Sequence, residues 1–192
     1  STIPHAVGAA LASKIRGEDK IFVAIFGDGA TGQGVYHESL NFASLHKLNV
    51  LFLCENNGLA AYTPIVQRQS FDFCKHVKSY GIEYVKIDEG YDFELISSVS
   101  KGVIDEIRRK NQPMFLEIKA CRYKEHVGPG DDPDGSRDIQ AVNAWKKLDP
   151  LIANTKLINK FSLKIKEEIN EAVDFAENSP MPQHDDLLRD VI

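Results

Sequence analysis

Apolar residues along the chain follow two rhythms. Nearly unbroken apolar runs occupy residues 21–26, 50–54 and 114–120, with a more mixed stretch at 83–88. Short runs bounded by turn residues fit strands buried on both faces of a sheet. Between them apolar positions recur every three or four residues, the spacing of a helix with one buried face. That rhythm predicts helices over 1–16, 34–48 and 67–80, and a fourth from Asp92, with Ile96, Val99, Val103 and Ile107 on one face. Thr2 and Asp92 are N-cap residues by type, Gly17 and Gly81 follow helix ends, and Pro113 stops the fourth helix. Phe71, Phe73 and Val77 are the expected buried residues of the third helix, and 58–64, lacking a period, reads as a loop. Helix and strand alternate throughout. The pattern predicts an α/β fold of three αβα layers, a doubly wound and mostly parallel sheet with right-handed crossovers.

The last third changes character. Residues 122–138 are rich in Gly, Pro and Asp, poor in aliphatic side chains, and follow the carboxyl end of the last strand. A structureless loop of that length is usually functional or disordered. After Asp149-Pro150 one long amphipathic helix begins at Thr155, with Ile158, Phe161, Ile165, Ile169 and Val173 on one face, and Asn178-Ser179-Pro180 ends it. The chain therefore reads as an α/β domain over 1–150, carrying the loop 122–138, with 151–192 as the C-terminal helix and tail of the same domain.

Composition narrows the function classes. At 192 residues the chain is about one domain long, with 43% hydrophobic and 27% charged residues, as in a globular protein. A net charge of −5 is the wrong sign for binding a nucleic-acid backbone. No apolar run is long enough to span a bilayer, and no signal peptide opens the sequence. Three scattered cysteines, Cys54, Cys74 and Cys121, form neither a disulfide framework nor a zinc motif, and Cys54 and Cys121 read as core residues. A reducing cytoplasm is the default compartment, with an organelle matrix as the alternative. The start at Ser1 is what a partial or processed chain shows.

Two short signals carry candidate chemistry. Gly27-Asp28-Gly29 directly follows the first apolar run, and Glu55-Asn56-Asn57 directly follows the second. Both then lie at the carboxyl ends of parallel strands, where ligands of open α/β sheets bind. A carboxylate and an amide oxygen are hard ligands of the kind Mg²⁺ accepts beside phosphate. The glycines from Gly27 to Gly34 let backbone N–H groups approach an anion, and the following helix adds its dipole. His126 is either a donor to such a phosphate or an exposed loop histidine. Glu38 and Asn41 share a helix face and either line the site or are solvated. The small residues of the first helix, Ala6 to Ala12, allow close packing on the sheet, and its start either lines the site or does not.

With residues 30–55 between them, Gly27-Asp28-Gly29 and Asn56-Asn57 resemble the signature of thiamine-diphosphate enzymes. The likeness extends over Ile3-Pro4-His5-Ala6-Val7-Gly8, Gly27 to Gly34, Glu38 to Ala43, Arg122-Tyr123, Ser136-Arg137, Trp145 and Asp149-Pro150. These resemble the α subunit of 2-oxo acid dehydrogenases. The resemblance implies a thiamine-diphosphate-binding fold with Mg²⁺ held by the side chains of Asp28 and Asn57 and the carbonyl of Leu59. Gly29 and Ala30 would offer N–H groups to the diphosphate, and His126 would meet it and act in catalysis. It implies oxidative decarboxylation with acyl transfer to a lipoyl carrier, a partner β subunit supplying the activating glutamate in an α2β2 assembly, and a lipoyl acyltransferase partner. The substrate would be a 2-oxo acid. An acyloin such as acetoin, a sugar-derived ketone, or a cofactor-binding scaffold without catalysis are the alternatives. Departures lie in the loop, where Lys124-Glu125 precede His126, Val127 follows it, and Asp131-Asp132-Pro133-Asp134 form an acidic run.

Overall fold

The computed structural model describes residues 2–128, 130 and 137–189. The acidic run at 131–134 and Ser136 lie outside the described residues. Contacts divide the chain into two compact units, Ser1–Leu148 and Asp149–Ile192.

In the first unit, α1 (Thr2–Ile15) leads into β1 (Phe22–Gly27), a 3₁₀ turn at Asp28–Gly32, and α2 (Gly34–Leu45). Strand β2 (Val50–Asn56) follows, then a small hairpin of β3 (Leu59–Ala60) and β4 (Thr63–Pro64), and the short helices α3 (Ile65–Arg68) and α4 (Phe73–Ser79). Strand β5 (Glu83–Ile87), helix α5 (Phe93–Lys110) and strand β6 (Met114–Lys119) complete the sheet, and α6 (Ile139–Leu148) closes the unit. The four long strands pair in the order β1-β2-β6-β5, all parallel. The expected parallel α/β sheet is therefore present.

Both faces of β2 and β6 are covered, as their apolar runs require. On one face Ala24, Phe26, Phe52 and Phe115 pack with Ile3, Val7 and Ala10 of α1, Tyr36 and Leu40 of α2, and Val77 of α4. On the other, Leu51, Leu116 and Ile118 pack with Val103 and Ile107 of α5. Each such fully buried side chain stabilises the fold by roughly 1.5–3 kcal/mol. Strand β1 is an edge, and its Val23 and Ile25 remain exposed.

Several local expectations change. Thr2 lies inside α1 and its hydroxyl donates to the Ile25 carbonyl at 3.4 Å, tying the helix to β1 instead of capping it. Residues 58–64 form the β3–β4 hairpin, with Ala61 at φ 52 in its turn. The helix read over 67–80 is two helices. Gln69 is extended between them, and Asp72 starts α4 by accepting the Lys75 N–H at 2.8 Å. Phe73 and Val77 are buried there, whereas Phe71 is only half-buried. Helix α2 stops at Leu45 rather than 48. Asp92 caps α5 as expected, accepting the Leu95 N–H at 2.9 Å.

The second unit holds α7 (Pro150–Ala153), α8 (Thr155–Asn178) and a 3₁₀ turn at His184–Leu188. Asn154 caps α8 by accepting the Leu157 N–H at 3.1 Å. Among the described residues no helix is long and apolar enough to cross a membrane.

Candidate functional site

The register of the sheet builds the site. Gly27 pairs with Glu55 and Asn56 with Lys119, so β1, β2 and β6 end together. The segments leaving these ends surround a cleft of about 580 Å³ lined by Gly27, Asp28, Gly29, Ala30, Glu55, Asn57, Leu59, Ala60, Ala61, Ala120, Cys121, Arg122 and His126. Asp28, Gly29, Ala30, Asn57, Leu59 and His126, the six residues singled out in the sequence, therefore share one cavity. Neither Gln33 nor Gly34 lines it. The 3₁₀ turn stands between the cleft and α2, and backbone at Asp28–Ala30 faces the cavity in place of the helix terminus. Glu38 and Asn41 are exposed and the start of α1 does not reach the cleft. Cys121, read as a core residue, lines the cleft, while Cys54 is buried and burial pushes its thiol far above the usual range.

Asp28 is 1% exposed. One carboxylate oxygen accepts the Asn57 N–H at 3.3 Å, and the other is paired with the guanidinium of Arg68. The Asp28 carbonyl accepts from Arg68 Nη1 at 3.0 Å and from the buried hydroxyl of Thr31 at 2.7 Å. Burial raises the Asp28 carboxyl above its ordinary value, against the opposing pull of Arg68 and of the N–H groups of Asn57 and Gly58. The turn after β2 is made by its own amides. Asn56 Oδ1 accepts the Gly58 N–H at 2.8 Å and Asn57 Oδ1 accepts the Leu59 N–H at 2.9 Å, with Gly58 at φ 78. Asx turns of this kind hold both asparagines in place. A Cβ on Gly29 would lie 3.0 Å from Ala60 Cβ, so the glycine allows the hairpin to close against the 3₁₀ turn.

Several participants escape a sequence reading. Arg68 reaches Asp28 only because the hairpin folds α3 back over the 3₁₀ turn. Glu117, 4% exposed in the centre of β6, accepts from Asn56 Nδ2 at 2.9 Å and from the Tyr84 hydroxyl. Arg122 gathers the loop, its Nε donating to the carbonyls of Lys124 at 3.2 Å and Glu125 at 3.0 Å and its Nη2 to that of His126 at 3.3 Å. A neighbouring cavity of about 620 Å³ shares Asn57, Leu59, Cys121 and Arg122 with the cleft. It extends to Tyr91 and Trp145, whose rings meet edge to face at 5.1 Å.

These donors suit a hard dication and a polyanion. Among the described residues no group of three or more His, Cys, Asp or Glu side chains is arranged to hold a metal ion by itself. Asp28 and Asn57 bring a carboxylate and an amide to the cleft, with Glu55 a second carboxylate on its lining, oxygen groups of the kind accepted by an ion that keeps phosphate oxygens among its ligands.

The fold and cleft define an α/β domain with an open cleft at the carboxyl edge of its parallel sheet. Residues 1–185 match the family described as the dehydrogenase E1 component, and the chain belongs to that family. It is a relative of the 2-oxo acid dehydrogenase α subunits. The pyruvate dehydrogenase E1 component subunit alpha of Rickettsia felis is 34% identical over 202 residues, spanning 98% of this chain and 61% of the relative. The 2-oxoisovalerate dehydrogenase subunit alpha of Bacillus subtilis is 33% identical over 194 residues, spanning 93% of this chain and 57% of the relative. The chain thus covers about three fifths of the length of these curated relatives. Among solved structures, the transketolase of Campylobacter jejuni superposes with a TM-score of 0.54 at 23% identity over 61% of this chain and 19% of the transketolase, a likeness of fold.

Proposed function

We propose that the chain is the cofactor-anchoring part of a thiamine-diphosphate-dependent 2-oxo acid dehydrogenase α subunit. The reaction would be oxidative decarboxylation with transfer of the acyl group to a lipoyl carrier. The observation that supports this most directly is the convergence of Asp28, Asn57, Leu59 and His126, from three different strand ends, on one cleft. Bound thiamine diphosphate supplies the carbon nucleophile and the electron sink that cleavage beside an oxo group needs.

The chain's own share is binding and positioning. Asp28 and Asn57, with the Leu59 carbonyl, would hold Mg²⁺, and the N–H groups of Gly29 and Ala30 would face the diphosphate. The Asx turn fixes the Leu59 N–H on Asn57 and so would help hold the Leu59 carbonyl toward the metal. Arg122 fixes the backbone of 124–126 and so sets the approach of His126. From there the imidazole would donate to a phosphate oxygen or move a proton at the reacting carbon. A β subunit carrying the activating glutamate completes the site, and a lipoyl acyltransferase takes the acyl group. The soluble assembly would work in a bacterial-type cytoplasm or an organelle matrix.

The full-length protein paired with its β subunit tests the reading in an artificial-acceptor assay over pyruvate, branched 2-oxo acids, 2-oxoglutarate and acetoin. Turnover of a 2-oxo acid supports it. Turnover of acetoin alone replaces the substrate class, and turnover of none contradicts the catalytic reading.

A further inference from the structure

Asp28 is the one carboxylate among the proposed metal ligands, and a cation of this chain already sits on it. Arg68 Nη2 pairs with Asp28 Oδ2, and Nη1 of the same guanidinium donates to the Asp28 carbonyl at 3.0 Å. The two side chains are 15% and 1% exposed, so the contact is nearly dry. Arg68 Nε is buried without a hydrogen-bond partner. Among the described residues, both hydrogen bonds of the guanidinium go to Asp28. The remaining carboxylate oxygen faces the Asn57 N–H at 3.3 Å. A dication on the same buried carboxylate would lie within a few ångströms of the guanidinium, where like charges in a low dielectric repel strongly.

We propose that Arg68 competes with the metal for Asp28 Oδ2, so that the cation enters by exchanging with the guanidinium. The proposal rests on the reading of Asp28 as a metal ligand given above. Its physical content is that Arg68 compensates the buried carboxylate before loading and lowers metal affinity below what the three oxygens alone would give. The exchange also engages the segment around the site. Arg68 is the last residue of α3, and α3 directly follows the hairpin whose first residue supplies the Leu59 carbonyl. Ile65 N–H donates to the Gly58 carbonyl at 2.9 Å, joining the start of that helix to the asparagine turn. Releasing Arg68 therefore loosens the C-terminal end of α3 from Asp28 and leaves the Ile65–Gly58 bond in place.

The test is calorimetric titration of Mg²⁺ into the full-length protein with its partner subunit, stripped of divalent ions and supplied with thiamine diphosphate. Wild type, Arg68→Met and Arg68→Lys are compared, and each is melted with and without Mg²⁺. Arg68→Met should bind Mg²⁺ about tenfold or more tightly than wild type, melt lower without the metal, and gain more on loading. Arg68→Lys should fall between the two. A merely structural arginine would lower the affinity or leave it unchanged, and either result in a folded variant overturns the exchange. Wild-type protein supplies a check independent of variants, since a crystal structure with Mg²⁺ and thiamine diphosphate should show the guanidinium off Asp28 Oδ2. Retention of the ion pair there overturns the proposal. If wild type shows no Mg²⁺-dependent binding, the functional reading fails and the exchange with it. If wild type binds and Arg68→Met binds no tighter, the exchange alone fails.

Discussion

Asn56 donates its side-chain amide to Glu117 at 2.9 Å, joining β2 to β6 one residue before Asn57 faces the cleft. The other Glu117 oxygen accepts from Tyr84 on β5, so one buried carboxylate ties three strands at the edge where the site begins. Glu117→Ala would leave both donors unpaired, at a cost of about 1–3 kcal/mol each, and would free the asparagine turn. Denaturant unfolding should show that loss. Glu117→Gln keeps an acceptor for Asn56 and can donate to the Tyr84 oxygen, so it should retain most of the stability. A Glu117→Ala protein as stable as wild type would contradict the role.

Much of this was legible in the sequence, and the parts that were not were hidden for separate physical reasons. The strands stood out because β2 and β6 are buried on both faces, which turns their sequences into near-continuous apolar runs. Their ends then located Asp28 and Asn57 without further information. That same two-sided burial concealed Glu117, since no alternation distinguishes an inward glutamate from an outward one. The hairpin was hidden because its turn uses Ala61 in the left-handed region, where Asn or Gly is the usual signal. With the hairpin unseen, residues 67–80 looked like one helix and Arg68 had no visible partner. His126 was found as a residue, but the grip of Arg122 on its loop appears only in three dimensions.

Gly29 sets how closely the hairpin approaches the 3₁₀ turn at Asp28–Gly32. Gly29→Ala places a Cβ 3.0 Å from that of Ala60, so one of the two segments must shift. The expected outcome is a destabilisation of about 1–3 kcal/mol and weaker cofactor binding. Adding Ala60→Gly removes the clashing atom and should restore both. Binding measured on the single and double variants checks this, and failure of the second change to rescue would place the defect elsewhere.

Alkaline stability should fall in two stages. Burial raises the Cys54 thiol above 9.0 and the Tyr36 and Tyr84 hydroxyls above 10.0, in each case in the protonated, neutral form. The folded state therefore holds these protons more tightly than the unfolded chain. Their contribution is complete below pH 9 and is lost as pH rises through 9 for Cys54 and through 10 for the tyrosines. Each group costs at most about 1.4 kcal/mol per pH unit beyond its unfolded value. Unfolding midpoints from pH 8 to 11 should show this, and Cys54→Ala should move the onset from about pH 9 towards pH 10.

His126 is exposed at the cleft on a loop held by Arg122, and in the proposed reaction it would act on the cofactor or substrate and contribute little to the fold. In the reconstituted α and β pair, His126→Ala should lower kcat by about 10²–10⁴-fold with little change in melting temperature. A variant that kept full acyl-transfer activity would remove His126 from the mechanism.

In the proposed function Asp28 and the asparagine turn anchor a diphosphate through Mg²⁺. Calorimetric titration of thiamine diphosphate into full-length protein with its partner subunit, with Mg²⁺ present and with it chelated, tests this most directly when wild type and Asp28→Ala are run side by side. Wild type should bind only with Mg²⁺, and Asp28→Ala should show no Mg²⁺-dependent binding while remaining folded. Undiminished Mg²⁺-dependent affinity in Asp28→Ala would contradict the account.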